Sequence, residues 1–288
     1  MKRKYSIYQI DAFTETPFNG NPAGVTFSPD LNDSEMQLIA REMNLSETAF
    51  ISSSDKADYK LRWFTPSCEV PLCGHATIAS LHFLDKLGKI KNRTNIKFET
   101  LSGILNCGVN DGEYYMQIPI LKTDEFEGYK EEIVEALGID RTSIDDKIPF
   151  ILVENGYLYV YSDNLKSLEK MNPNFALIKI LGDKYNFNAI NIFTLQTYEK
   201  ESFAHSRFFT PHYGINEDPV TGSANGPLLL VLKKLNFIRE SNKPVTKIFE
   251  QGDIINRKGR IRVTHYPDTN ELYIGGKAVT VLKGEFIF

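Results

Sequence analysis

Cysteine is scarce in this chain, with three residues among 288, at positions 68, 73 and 107. An odd number at no metal-ligand spacing predicts neither a disulfide framework nor a structural zinc site, and fits a reducing cytoplasm. Long apolar runs are lacking too. No stretch approaches the ~20 residues needed to span a bilayer. Gln9 and Asp11 interrupt the apolar residues behind Met1-Lys2-Arg3-Lys4-Tyr5, so no secretory leader is expected. The sequons at Asn44 and Asn92 then read as chance matches. Positive charge is not in excess: 33 Lys and Arg stand against 37 Asp and Glu, a net charge of -4. That balance gives no reason to expect nucleic acid or an acidic membrane as partner. Basic clusters, Lys2-Arg3-Lys4 and Arg257-Lys258-Gly259-Arg260, are short enough to be solvated loops.

What is present is an ordinary globular composition, 42% hydrophobic and 24% charged, with too little Gly and Pro for disorder. The length exceeds the ~250 residues beyond which single cores tend to split, so two domains are expected. An internal repeat supports this. Arg62-Trp63-Phe64-Thr65-Pro66 with Glu69-Val70-Pro71-Leu72-Cys73-Gly74-His75-Ala76 returns as Arg207-Phe208-Phe209-Thr210-Pro211 with Glu217-Asp218-Pro219-Val220-Thr221-Gly222-Ser223-Ala224. Only the loop inside the pattern changes length. Two related halves facing one shared site are the simplest reading.

Periodicity places the elements. Strands are expected at Tyr5–Phe13, Ala23–Phe27, Ser46–Ile51, Tyr59–Thr65, Asn95–Thr100, Gly103–Val109 and Tyr114–Ile118. In the second half they are expected at Phe150–Val160, Ala189–Thr197, Phe203–Thr210, Gly259–His265, Glu271–Gly275 and Ala278–Lys283. Asp33–Met43 has helical spacing, with Ser34 or Asp33 as N-cap. Glu131–Leu137 is a short helix. Two helices, from Ala76 to Leu84 and from Ser223 to Leu235, are apolar nearly all round and belong in cores. Pro227 is expected near the first turn of the latter, where a missing N–H costs least. Runs of antiparallel-type strands between helices predict an α+β class rather than βαβ repeats.

Both buried helices start just after a glycine, Gly74 or Gly222. Free N–H groups and the dipole end make such a start suited to a carboxylate, and glycine admits close approach. Cys73 and His75 crowd the first start, Asp218 and Ser223 the second. From the residues alone, His75 and Ser223 are equally well helix caps, and Glu47 is a capping or surface glutamate.

Asp11-Ala12-Phe13, Pro17-Phe18-Asn19-Gly20-Asn21-Pro22-Ala23, Asn44-Leu45-Ser46-Glu47-Thr48-Ala49-Phe50, Cys73-Gly74-His75-Ala76-Thr77 and Asp218-Pro219-Val220-Thr221-Gly222-Ser223-Ala224 together resemble the PhzF phenazine-biosynthesis-like family. The match runs in order to Gly275-Gly276-Lys277-Ala278. The resemblance implies the diaminopimelate epimerase fold: two pseudo-symmetric domains, each a curved, mostly antiparallel sheet wrapped around a central helix. It assigns 1–118 with 277–288 to the first domain and 119–276 to the second, with an active-site cleft between. It further implies an isomerase that moves a proton on a small carboxylic acid without metal or organic cofactor, in a homodimer. Glu47 takes the place of the acid/base, and His75, Asp218 and Ser223 take the other catalytic places.

Such chemistry needs a base whose pKa burial can raise, and preplaced donors for the growing negative charge. Protonated or tautomer-selected His75, Ser223 and the two helix starts at Gly74 and Gly222 could supply those donors. Diaminopimelate epimerases use two facing thiols. Here Cys73 stands at the first position and Thr221 at the second, so two-thiol racemisation is not available. Cys73 is either a small buried residue or a supporting thiol acid or base; Asn21 and Pro22 either shape the cleft wall or only make a turn. Two rival readings remain. One is an amino-acid epimerase or racemase pairing Cys73 with Glu47 or Asp218; the other is a small-molecule binding protein without turnover. A serine hydrolase is weaker, because Gly222-Ser223-Ala224-Asn225-Gly226 is not G-x-S-x-G.

Overall fold

The computed structural model describes residues 3–91 and 93–287. Met1, Lys2, Asn92 and Phe288 lie outside the described residues, and with them the sequon at Asn92 and the first residue of the N-terminal basic cluster. The chain divides into two compact units, one of Met1–Gln117 with Tyr273–Phe288 and one of Ile118–Leu272. Among the described residues no helix is long and apolar enough to cross a membrane.

In the first unit the strands are β1 (Lys4–Ala12), β2 (Asn21–Phe27), β3 (Glu47–Ser52), β4 (Tyr59–Phe64), β5 (Glu69–Val70), β6 (Ile96–Thr100), β7 (Gly103–Asn110) and β8 (Glu113–Ile118). Its helices are α1 (Asp33–Met43) and α2 (Gly74–Lys86). The hairpin β1–β2 is antiparallel and turns through Gly20, whose φ of 61° no β-carbon would tolerate here, because one would lie 2.1 Å from the carbonyl oxygen of Ala12. A crossover through α1 then sets β3 parallel to β2, with Ala23 opposite Glu47. β4 is antiparallel to β3 and parallel to β6. The N-cap of α1 is Asn32 rather than Ser34 or Asp33; its side chain accepts from Glu35 N at 3.1 Å while Glu35 Oε2 accepts from Asn32 N at 3.0 Å.

Every residue of α2 from His75 to Leu84 is buried. A helix covered on all sides by one sheet requires that sheet to curl around it, and β1, β2, β3 and the last strand of the chain pack on α2. Outside, Met36, Ile39 and Ala40 of α1 close a second core over Phe50 and Phe64, whose rings meet edge to face at 5.5 Å.

The second unit repeats the order: β9 (Thr123–Glu125), α3 (Lys130–Leu137), β10 (Ile151–Val153), β11 (Tyr157–Tyr161), α4 (Leu165–Lys170), α5 (Phe175–Tyr185), β12 (Ala189–Thr194), β13 (Ala204–Thr210), β14 (Ile215–Asp218), α6 (Gly222–Lys234), β15 (Val245–Gln251) and β16 (Gly259–Tyr266). β17 (Glu271–Gly276) spans the unit boundary, and β18 (Ala278–Ile287) belongs to the first unit, antiparallel to β1. β11 is parallel to β12 and β13 to β15, matching β2–β3 and β4–β6. The central helix α6 is again buried nearly throughout. Here α3 and α5 form the outer layer, with Ile133, Leu137, Ile178 and Leu181 against Ile190, Ile192 and Phe209.

Several other expectations change in detail. The strand expected over Phe150–Val160 is a hairpin, broken at Asn155-Gly156, where Gly156 has φ 80° and Val153 O accepts from Gly156 N at 2.8 Å. The sheets are mostly antiparallel, as expected, and parallel pairs form at the crossovers. α4, α5 and β15 have no counterpart in the sequence reading. Pro227 lies inside α6, just past its first turn, so the helix ladder cannot bond the carbonyl of Ser223 from that position.

The shared R-x-F…E pattern has a structural meaning in both units. Arg62 donates from Nε and a terminal nitrogen to the two Glu69 oxygens, each at 2.6 Å, and Arg207 does the same to Glu217 at 2.9 and 2.7 Å. Each guanidinium also stands 5.1 Å over a phenyl ring, Phe64 or Phe209. These clasps fix the loop that leads into α2 or α6.

Candidate active site

Strand register equates the two halves residue by residue. Phe50 lies opposite Arg62, and Ile192 lies opposite Arg207. Counting back three residues, Glu47 corresponds to Ala189. The first residue of β3 thus carries a carboxylate in one unit and a methyl group in the other. By the same alignment Cys73 corresponds to Thr221, His75 to Ser223 and Val70 to Asp218. The scaffold is duplicated; its reactive groups are not.

In the first unit three groups converge at the start of α2. Cys73 is the N-cap in extended conformation and makes no side-chain cap bond, while His75 is the second helical residue. The capping alternative therefore does not describe His75. Its Nε2 lies 3.2 Å from Glu47 Oε2, and its Nδ1 lies 3.6 Å from the thiol of Cys73. The His75 side chain is 8% exposed and that of Glu47 17%, so Glu47 is neither a cap nor a surface residue. Nε2 approaches the carboxylate without hydrogen-bond alignment and is one of the buried polar atoms lacking a hydrogen-bond partner. Burial pushes the His75 pKa down to about 4, which favours the neutral, tautomer-selected form of the two that were expected. Asn21 is buried at the start of β2, two residues before the partner of Glu47, and so lies at the same end of the parallel β2–β3 pair.

In the second unit Thr221 is the N-cap of α6 and Ser223 the second helical residue, so Ser223 is not a cap either. The hydroxyl of Thr221 donates to Asp218 Oδ2. Gln251 binds this loop from β15. Its Nε2 donates to Asp218 O at 2.8 Å and Thr221 Oγ1 at 3.1 Å, while its Oε1 accepts from Thr221 N at 3.0 Å and Asn225 Nδ2 at 2.6 Å. These bonds fix the entrance to α6 as the Arg207–Glu217 clasp fixes the loop before it. The sequence reading missed Gln251 along with its strand. It also missed Tyr157, whose hydroxyl stands 3.5 Å from Ser223 Oγ.

Two groups place metal-capable atoms within 4.8 Å of one another among the described residues: Glu47 with Cys73 and His75, and His205 with Glu250 and Asp253. In the second, Arg260 holds Asp253 at 2.9 and 3.0 Å, and Glu250 accepts from Tyr198 N and Glu199 N at 2.9 and 2.8 Å. That cluster reads as an ion-pair network that ties β13 to the loop after β15. Of the two, the first alone includes a thiol beside its imidazole, the donor set that a thiophilic metal takes.

Residues 10–284 match the PhzC-PhzF family, described as phenazine biosynthesis-like protein. An uncharacterized isomerase of Clostridium acetobutylicum is 38% identical, over 100% of this chain and 99% of its own length. Among solved structures, a phenazine biosynthesis protein of the PhzF family from Bacillus anthracis superposes with a TM-score of 0.92 at 31% identity, covering 99% of this chain and 100% of that one. A hydroxyproline epimerase from Agrobacterium vitis, at TM-score 0.64 and 12% identity over 99% and 93% of the two chains, shares the fold alone. With its duplicated helix-centred sheets and full-length relatives named isomerases, the chain belongs to the phenazine biosynthesis-like PhzC-PhzF family and is an isomerase.

Proposed function

We propose that the protein moves a proton between positions of a small carboxylic acid, with Glu47 as the single general acid/base. The observation that carries this is the half-buried carboxylate of Glu47 beside a neutral, buried imidazole, set against the methyl group of Ala189 at the matching place. One base in a duplicated frame suits a shuttle that removes a proton and returns it elsewhere, rather than two bases acting from opposite faces.

His75 completes the local chemistry. Its flanking groups favour one tautomer: the thiol of Cys73 donates to Nδ1, which leaves the proton on Nε2, on the Glu47 side. A neutral Nε2–H can then be offered to an oxyanion of the substrate without adding a full charge. Ser223 and the first-turn amides at Gly222 and Gly74 serve as donors to the substrate's negative charge, and Asp218, bound to Thr221, orients a polar substituent. These groups suffice for the transfer without an added cofactor. The enzyme is taken to be a cytoplasmic homodimer; sedimentation at twice the chain mass tests the second part.

The thiol 3.6 Å from His75 supports a second reading, epimerisation with Cys73 as one of two acid/base groups. Cys73→Ser separates the two. A serine hydroxyl still donates to Nδ1, so a one-base isomerase keeps turnover within about tenfold, whereas an epimerase that uses the thiol loses the ~10²–10⁴-fold contribution of an acid/base group. Glu47→Gln removes turnover while the variant keeps its circular dichroism and unfolding midpoint.

A further inference from the structure

Glu47, Cys73 and His75 are three different donors, a carboxylate, a thiol and an imidazole, and one donor atom of each lies within 4.8 Å of the other two. All three belong to the first unit. Glu47 opens β3, while Cys73 and His75 flank the first residue of α2, whose leading loop the Arg62–Glu69 clasp holds. The set is therefore built on fixed elements rather than on freely rotating surface side chains. Its second unit counterparts, Ala189, Thr221 and Ser223, do not repeat it.

The approach of His75 to Glu47 has the spacing of two metal ligands. Nε2 stands 3.2 Å from Oε2 out of hydrogen-bond alignment, and it is a buried nitrogen without a hydrogen-bond partner on a side chain only 8% exposed. A nitrogen and an oxygen bound to one tetrahedral zinc, each about 2.0–2.1 Å from it, lie about 3.3 Å apart. A cation between the two completes the orphaned nitrogen. The thiol, 3.6 Å from the other ring nitrogen, adds the soft ligand that selects zinc over magnesium or calcium. In the His205, Glu250 and Asp253 cluster the cation's place is already taken, because Arg260 lies 2.9 and 3.0 Å from Asp253 and 3.8 Å from Glu250.

We infer that Glu47, Cys73 and His75 form a binding site for zinc. Binding releases one proton, from the Cys73 thiol. The imidazole stays neutral, its ring proton passing from Nε2 to Nδ1 as Nε2 takes the metal. Thiolate and carboxylate together offset the two positive charges. A carboxylate held by zinc cannot take a proton from carbon, so the occupied site silences the isomerase. That silencing rests on the reading of Glu47 as the base, whereas the site itself rests on the three donors alone.

The test uses the full chain, stripped with a chelator, with cobalt chloride as spectroscopic probe and zinc chloride as competitor. Cobalt is expected to raise a thiolate charge-transfer band in the near ultraviolet and the intense visible bands of a tetrahedral site, and an equivalent of zinc to abolish both. Cys73→Ser is expected to remove the charge-transfer band. Glu47→Gln and His75→Gln are expected to weaken zinc by at least the roughly 10- to 100-fold that loss of an outer-shell partner costs. Unchanged unfolding midpoints of the metal-free variants separate lost ligands from a fold defect. Absence of the band in wild type, a band that survives Cys73→Ser, or equal zinc affinity in either glutamine variant overturns the inference. Failure of the Glu47 reading shows separately: deuterium exchange at carbon that persists in zinc-loaded protein leaves the site standing and removes Glu47 as the base.

Discussion

His75 and His82, both buried on α2, illustrate how single side chains link this fold to pH. Burial pushes each pKa down to about 4 from 6.5, with the Lys86 charge adding to the effect at His82. Unfolding exposes imidazoles that bind protons near pH 6.5, so the unfolded state holds more protons between about pH 4 and 6.5. Stability therefore falls as pH drops through that window and levels off below it. Replacing both residues with Gln lowers the proton uptake on unfolding near pH 5 by about two protons, measured from the pH dependence of urea midpoints; an unchanged uptake contradicts the assignment. Glu47, by contrast, was not legible as a half-buried carboxylate from its own surroundings in the sequence. Its partner His75 is 28 positions away, and only folding brings the two side chains together. Gly20 was legible: its left-handed turn follows from Asn-Gly-Asn-Pro, and Gly20→Ala, which adds both strain and a clash, is expected to cost more than about 1 kcal/mol in the denaturation midpoint.

Among the elements, the most readable signal was the duplicated pattern, though part of its meaning was structural. Arg62 and Arg207 repeat because each clasps a glutamate two-handed and so sets the loop before a central helix. The second clasp is the more buried, with side chains 8% and 12% exposed against 17% and 19%, and Arg207 also donates to Leu168 O at 2.6 Å. Arg207→Ala leaves the largely covered Glu217 without its arginine, so it is expected to cost up to about 3–5 kcal/mol in urea unfolding, and Arg62→Ala less. Equal costs contradict the ranking by burial. The central helices were readable because residues apolar on every face have nowhere to go but a core. α5 was not read, although Asn174 and Asn186 bracket it as N-cap and left-handed C-cap. β15 hides because Val245, Ile248 and Phe249 break alternation, as a strand paired on both edges by different partners permits. The Asn-Gly turn that splits β10 from β11 was present in the sequence and obscured by the apolar residues on either side.

At the scale of the whole chain, a duplicated scaffold with divergent chemistry is the organising fact. The matching positions 47 and 189, 73 and 221, 75 and 223, and 70 and 218 hold different functional groups, while the Arg–Glu clasps and buried helices are kept. Equivalent backbone with unequal side chains is what a one-base reaction needs: an acid/base group once, and neutral donors elsewhere. The substrate stays illegible at this scale, because fold and family set the frame and the contacts of a few side chains choose the acid.

The central claim, a single base at Glu47, is tested most directly by NMR in D2O. Wild type and Glu47→Gln are each incubated with small amino, hydroxy and cyclohexadiene carboxylic acids. The account predicts deuterium at carbon in at least one acid with wild type and none above background with the variant. Incorporation at equal rates by both proteins contradicts it.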